Sequence, residues 1–178
     1  MQKKLLAALL GAVLVVPVAA HAEGSYFKVD VGQSKYKDDL ISENETAASL
    51  AYGFAIDKNF GVELGYINFG KLKNFVEEEP SRTYQQQAFY IAGVGSYPLT
   101  DALSATGKLG LAVNRQEWKV SEPDLIETHT ETKTRAMIGL GLAYNFTKEV
   151  AGTLEYQYFG KASEIKVSAI TVGVKYGF

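Results

Sequence analysis

Seven ionisable residues sit where strand alternation turns them toward one common side: Lys28, Asp30, Glu63, Lys108, Arg135, Glu155 and Lys175. Four cations and three anions that share an interior can do two kinds of chemistry. They can line a gate or an ion path, or they can pair with one another and replace water that a narrow interior has no room to hold. The near balance of sign points to pairing, so the set is read as a structural charge network.

Other chemistry-bearing residues are sparse. Beyond the N-terminal segment the only histidine is His129, in a polar stretch with Glu127, Thr128, Thr130 and Glu131, and one solvated imidazole makes neither a metal site nor a catalytic base. Glu77-Glu78-Glu79 reads as a solvated loop tip rather than a calcium site. Gly93-x-Gly95 and Gly139-x-Gly141 precede no helical pattern, so they are strand glycines and not phosphate loops. No catalytic, cofactor-binding or metal-binding residue is assigned, and no cofactor is expected. The chain has no cysteine, so disulfides cannot hold it together.

The elements that position these residues are clearest at the C-terminus. From Ser168 to Phe178, Ile170, Val172, Val174, Tyr176 and Phe178 fall on one face, with Thr171, Gly173, Lys175 and Gly177 on the other. A large apolar face opposite a small polar one suits a strand with lipid on one side and a narrow polar lumen on the other. At the N-terminus, Lys3 and Lys4 precede an uncharged run from Leu5 to Ala20 and then Ala20-His21-Ala22, which together read as a secretory signal peptide over 1–22. The run is too short to span a membrane as a helix and has no counterpart further on.

Between these ends the alternation recurs about every 20 residues. It predicts strands over Ser25 to Tyr36, Thr46 to Ile56, Phe60 to Gly70, Tyr84 to Tyr97, Ala102 to Trp118, Thr132 to Phe146, Val150 to Gly160 and Ser168 to Phe178. Short turns at Asp57 to Asn59, Pro98 to Asp101 and Thr147 to Glu149 alternate with long charged connections at Lys35 to Glu45, Lys71 to Thr83 and Lys119 to Glu131. The spacer at Gly160 to Glu164 is shorter. The expected fold is an all-β, eight-stranded antiparallel up-and-down transmembrane β-barrel over 23–178, with short turns toward the periplasm and long connections outward. A soluble barrel with its apolar face inward would carry charges at most positions of the other face; here that face is mainly Gly, Ala, Ser and Thr, the composition of a crowded lumen. Without Lys3 and Lys4 the chain is net acidic, which excludes a basic nucleic-acid surface.

Several motifs carry a family resemblance. Val62-Glu63-Leu64-Gly65-Tyr66, Phe69-Gly70, Tyr97-Pro98-Leu99-Thr100-Asp101, Lys108-Leu109-Gly110 and Leu154-Glu155-Tyr156-Gln157-Tyr158, in that order, resemble the transmembrane domain of the OmpA-like proteins and their small OmpX/Ail-type relatives. The closing Tyr176-Gly177-Phe178 is similar to the C-terminal signal that the outer-membrane insertion machinery reads, which implies an insertion role for Tyr176 and Phe178. The resemblance also implies a non-enzymatic protein of the bacterial outer membrane that supports envelope integrity and presents loops for adhesion. Its implied partners are outer-membrane lipid and lipopolysaccharide, the insertion machinery and periplasmic chaperones, and host or surface ligands at the loops. Glu63 and Lys108 fall at positions of the family's internal charged network, whereas Val94, Ala143 and Thr153 stand where OmpA carries other charged members, so the network here is expected to be rewired. With the chain ending at Phe178, the peptidoglycan-binding domain of full-length OmpA is expected to be absent.

Two alternatives remain, a lipid-modifying enzyme and a small-solute pore. The lipid A deacylases of the outer membrane resemble Ser/His/acid hydrolases with His and Ser close together, and no His-x-Ser occurs after the signal segment.

Overall fold

Each segment has one face of large apolar side chains and one of small or polar ones, and a sheet of such segments satisfies both faces by closing on itself. The structure, a computed structural model, describes residues 24–37, 42–74, 81–122, 125–162 and 165–178. The stretch 1–22, expected from the sequence to be a signal peptide, and the Glu77-Glu78-Glu79 triplet lie outside the described residues. Eight strands follow in order: β1 (Ser25–Lys37), β2 (Ser42–Ala55), β3 (Phe60–Asn74), β4 (Ser81–Pro98), β5 (Leu103–Glu122), β6 (Leu125–Asn145), β7 (Val150–Ala162) and β8 (Ile165–Gly177). Each pairs antiparallel with its neighbour, and β8 returns to β1, so the sheet is a closed barrel with no free edge.

The expected strands all form, but several run longer than their apolar pattern. β5 and β6 form one ladder from Leu103↔Tyr144 to Glu122↔Leu125, so the long connection expected over Lys119 to Glu131 is mostly strand. His129 therefore lies on β6, exposed and directly opposite Trp118, rather than in a loop. The apolar alternation stops where the lipid stops, while backbone pairing needs no lipid and continues outward.

The three short turns share one construction. In the first, the amides of Ile56 and Asp57 both donate to the Phe60 carbonyl, at 2.8 and 3.0 Å, while Asp57 Oδ1 accepts from the amides of Asn59 and Phe60. Thr100 and Thr147 use their hydroxyl oxygens in the same way. An acceptor side chain at the second turn position thus satisfies amides that the ladder cannot reach.

The register fixes the barrel's size. Ser25 faces Phe54, and the directly opposed partners then run through Val62, Gly93, Leu109, Ile138, Tyr158 and Ser168 to Lys35, ten residues further along β1. A stagger of ten over eight strands tilts them by about 40° and leaves an interior that side chains fill. Outside, large apolar residues lie bare, such as Leu109 at 69% and Leu140 at 65% exposed. On β6 the apolar run from Tyr144 to Ala136 spans about 20 Å along the barrel axis, close to the height of a membrane band. The inward residues of every strand, polar and apolar together, form the core.

Candidate functional site

Alternation carries the side chains of Lys28, Asp30, Glu63, Lys108 and Glu155 from β1, β3, β5 and β7 into the lumen, where each is at most 5% exposed. They meet in one cluster. Lys108 Nζ bridges Glu63 Oε1 at 2.6 Å and Glu155 Oε2 at 2.8 Å. Lys28 Nζ reaches Glu155 Oε2 at 2.6 Å, Asp30 Oδ2 at 3.4 Å and Glu63 Oε1 at 3.8 Å. Two ammonium groups are thus shared among three carboxylates, and neutral donors satisfy the rest. The Tyr26 and Tyr90 hydroxyls donate to Glu63 at 2.8 and 2.7 Å, and Gln157 Nε2 donates to Glu155 at 2.6 Å. Ser49 and Thr153 donate to the two oxygens of Asp30. Thr153 thus works as a neutral donor to an acid on β1.

Small residues make the room. Gly53 and Gly65 lie against the rings of Tyr26 and Tyr90, and a Cβ at either would collide with the ring. Only glycine lets those two hydroxyls lie flat along the wall and reach Glu63.

The other two members of the expected network sit apart from the cluster. Lys175 is directly opposite Lys28 across the β1–β8 seam, and its ammonium lies 5.2 Å from the centroid of the Tyr26 ring. It borders a cavity of about 740 Å³ that extends from the cluster to the turns at the periplasmic end. Arg135 is half-buried on β6 opposite Ala112, four residues beyond Gly139, the partner of Lys108. That is about 13 Å along the strand.

Toward the extracellular end the lumen changes character. Tyr36, Phe69, Phe159, Ile67 and Met137 are at most 1% exposed and close the interior. Phe69 and Phe159 meet edge to face, and Tyr90 packs against Phe159 with centroids 6.1 Å apart. Gly70 and Gly160 follow these two phenylalanines with φ of 85° and 77°, and the ladder slips at both places, between Asn68 and Lys71 and between Tyr158 and Lys161. The Phe69 carbonyl accepts from Ser34 Oγ at 2.6 Å and Tyr36 Oη at 3.2 Å. Sequence reasoning missed this aromatic layer. Its signal was a repeat, Tyr66-x-x-Phe69-Gly70-Lys71 and Tyr156-x-x-Phe159-Gly160-Lys161.

The aromatic end of the chain closes the seam. The Phe178 ring stacks on Phe27 with centroids 5.6 Å apart and on Tyr176 at 6.4 Å, and its amide donates to the Ser25 carbonyl.

A closed eight-stranded antiparallel sheet with a bare apolar outer wall and a lumen of paired charges defines an integral β-barrel of the bacterial outer membrane. The model of the OmpA-like transmembrane domain matches residues 20–178, and the chain belongs to that family. Outer membrane protein A of Salmonella typhi is 28% identical over an alignment covering 96% of this chain and 53% of the relative; outer membrane protein P5 of Haemophilus influenzae is 26% identical, covering 95% and 58%. The chain therefore spans little more than half the length of the curated relatives it matches. Among solved structures, Neisserial surface protein A superposes with a TM-score of 0.69 at 18% identity, covering 88% of this chain and 98% of that one. Ail of Yersinia pestis, in complex with the heparin analogue sucrose octasulfate, gives 0.66 at 19%, covering 88% and 99%. At such identities the likeness is one of fold.

Proposed function

We propose that the protein is a non-enzymatic barrel that supports the integrity of the outer membrane and presents its extracellular strand ends and connections for surface contact. The observation that carries this reading is the filled lumen: a buried cluster of paired charges with an aromatic layer beyond it. Such an interior resists deformation and gives solutes no wide path. On this reading Lys28, Asp30, Glu63, Lys108 and Glu155 serve structure, as do Lys175 and Arg135 at its margins, while Tyr176 and Phe178 serve insertion. The Ail structure holds a sulfated glycan analogue, so sulfated polyanions are the first ligand class to try at the surface.

A strain lacking the gene, compared with its complemented counterpart, tests both halves: sensitivity to bile salts and detergents reads envelope integrity, and attachment to host cells reads adhesion. Wild-type behaviour in both assays overturns the proposal. Release of fatty acid from lipopolysaccharide by the refolded protein, abolished by one substitution, would replace it with an enzymatic reading.

A further inference from the structure

The cavity at the periplasmic end holds a cation that the charge cluster leaves over. Each acid of the cluster is already engaged. Glu63 accepts from Lys108 and Tyr90 at Oε1 and from Tyr26 at Oε2, and Asp30 accepts from Thr153 and Ser49 at its two oxygens. Glu155 Oε2 takes Lys28, Lys108 and Gln157 together. Lys175 is half-buried and, among the described residues, makes no ion pair. Its ammonium lies against the Tyr26 ring, 5.2 Å from the centroid. The residues directly opposite it are Lys28 on β1 and Ala151 on β7, and neither offers an anion.

Neutral polar groups that face the same space are unused as well. Ser96 on β4, Thr106 on β5 and Asn145 on β6 line the cavity, and among the described residues their side chains make no hydrogen bond. The ladder sets Thr106 level with Lys175. Paired positions run Thr106, Gly141, Glu155, Thr171, and Lys175 lies four residues below Thr171 on β8. The tilt raises paired positions by about 9 Å over three strands and four residues descend about 10 Å, so the two side chains start at one height on separate walls.

The rest of the lining selects the kind of ligand. Val94, Ala143 and Ala151 give the cavity apolar wall between these polar groups, and its volume is about 740 Å³. Sites for small molecules span about 300–1,000 Å³, with apolar walls that hold the body of the ligand and a few polar groups that orient it. An ammonium in such a partly enclosed space holds an oxyanion more firmly than one on an open surface, because less solvent screens the pair. We propose that this vestibule binds a small organic anion from the periplasm, with its carboxylate or phosphate on Lys175 and Thr106 and its carbon body against Val94, Ala143 and Ala151. The site lies at the opposite end of the barrel from the strand ends assigned to surface contact, so either reading can fail alone.

The test separates head from body. Isotope-labelled protein refolded in neutral detergent is titrated with benzoate, phenyl phosphate, benzyl alcohol and inorganic phosphate at about 0.15 M salt, and binding is read from backbone amide shifts. At least one of the two aromatic anions should saturate, with shifts at Tyr26, Thr106 and Lys175 and none at Gln116 or His129 in the extracellular ladder. The tighter of the two names the head group. Benzyl alcohol, which lacks the charge, and inorganic phosphate, which lacks the body, should bind about tenfold more weakly or worse. Lys175→Met should weaken the anion about tenfold and Lys175→Arg should restore most of the loss, whereas Lys58→Gln/Lys148→Gln at the exposed turns should change it by less than about twofold. Absence of saturable binding by both aromatic anions overturns the proposal and leaves Lys175 as the third counter-charge of the three carboxylates. So does a Lys175→Met protein that binds as tightly as wild type, or benzyl alcohol that binds as tightly as benzoate. Inorganic phosphate as tight as phenyl phosphate overturns the role given to the carbon body. If Lys175→Met fails to refold, the wild-type shift map decides, and shifts that spare Tyr26, Thr106 and Lys175 overturn the site.

Discussion

Phe69 and Phe159 meet edge to face across the lumen, with ring centroids 4.9 Å apart and planes at 80°. They come from β3 and β7, on opposite sides of the barrel, and each is followed by a glycine of positive φ where the ladder slips by one residue. Both side chains are fully buried. Replacing Phe159 by Ala empties a ring-sized space that seven other strands hold open. The expected loss is about 3–5 kcal/mol, read as a lowered urea midpoint of the refolded protein in detergent. An unchanged midpoint would mean that the layer is loosely packed.

The two bulge glycines should respond unequally to alanine. Both would force an L-residue to positive φ, at a cost of about 1–2 kcal/mol. At Gly70 the new methyl also meets the Thr46 carbonyl oxygen at 2.8 Å, whereas at Gly160 its nearest neighbour is Cβ of Arg135 at 3.2 Å, with the Ala136 carbonyl oxygen at 3.4 Å. Gly70→Ala should therefore destabilise more than Gly160→Ala, and thermal midpoints of the pair decide the order.

Much of the architecture was legible because a membrane barrel uses period-two alternation twice, once for lipid and once for lumen. Parity alone placed Lys28, Glu63, Lys108 and Glu155 inside, and they meet. Parity carries no height, so Arg135 was grouped with residues about 13 Å away along the strand. Nor does alternation report pairing beyond the lipid, where β5 and β6 continue as a polar ladder. The aromatic layer escaped because Phe69 and Phe159 read as apolar residues at strand ends, and only the repeated Phe-Gly-Lys shows the bulges that keep both rings inside.

Removing one partner from the charge cluster should be costly. Glu63 accepts from Tyr26, Tyr90 and Lys108, so Glu63→Ala leaves two buried donors and one half-buried donor facing a void and Lys108 with one carboxylate fewer. The expected loss is about 3–5 kcal/mol for a dry site, with Glu149→Ala in an exposed turn causing none. Adding Lys108→Ala to Glu63→Ala should cost less than the sum of the single changes, because the stranded ammonium goes with its partner. Unfolding midpoints of the four proteins close the cycle, and strict additivity would show that the bridge is not coupled.

Assembly should depend on the last residue. Phe178 stacks on Phe27 and Tyr176 at the seam where the chain closes on itself. Deleting it removes both the proposed insertion signal and the clasp, so outer-membrane levels should fall several-fold, most at high expression, with export intact. Fractionation separates the two effects: a deletion protein that reaches the outer membrane at wild-type level but melts early keeps the clasp and dismisses the signal.

Conductance gives the strictest measure of the filled lumen. From the periplasmic end, the cavity of about 740 Å³ leads only as far as the cluster of Lys28, Lys108, Glu63 and Glu155, whose charges are already paired. Beyond it the buried rings of Phe69, Phe159 and Tyr36 close the interior, and an ion entering that layer would lose most of its water. In planar bilayers the wild type should therefore show no stable openings on the nanosiemens scale. Phe69→Ala/Phe159→Ala removes the dry layer but leaves the charge cluster, so it should give brief, small openings and no sustained ones. Adding Glu63→Ala to that pair loosens the second barrier and should lengthen them. Sustained large openings of the wild type, or a triple variant as silent as the parent, would contradict two barriers in series and return the inward charges to the role of a pore lining.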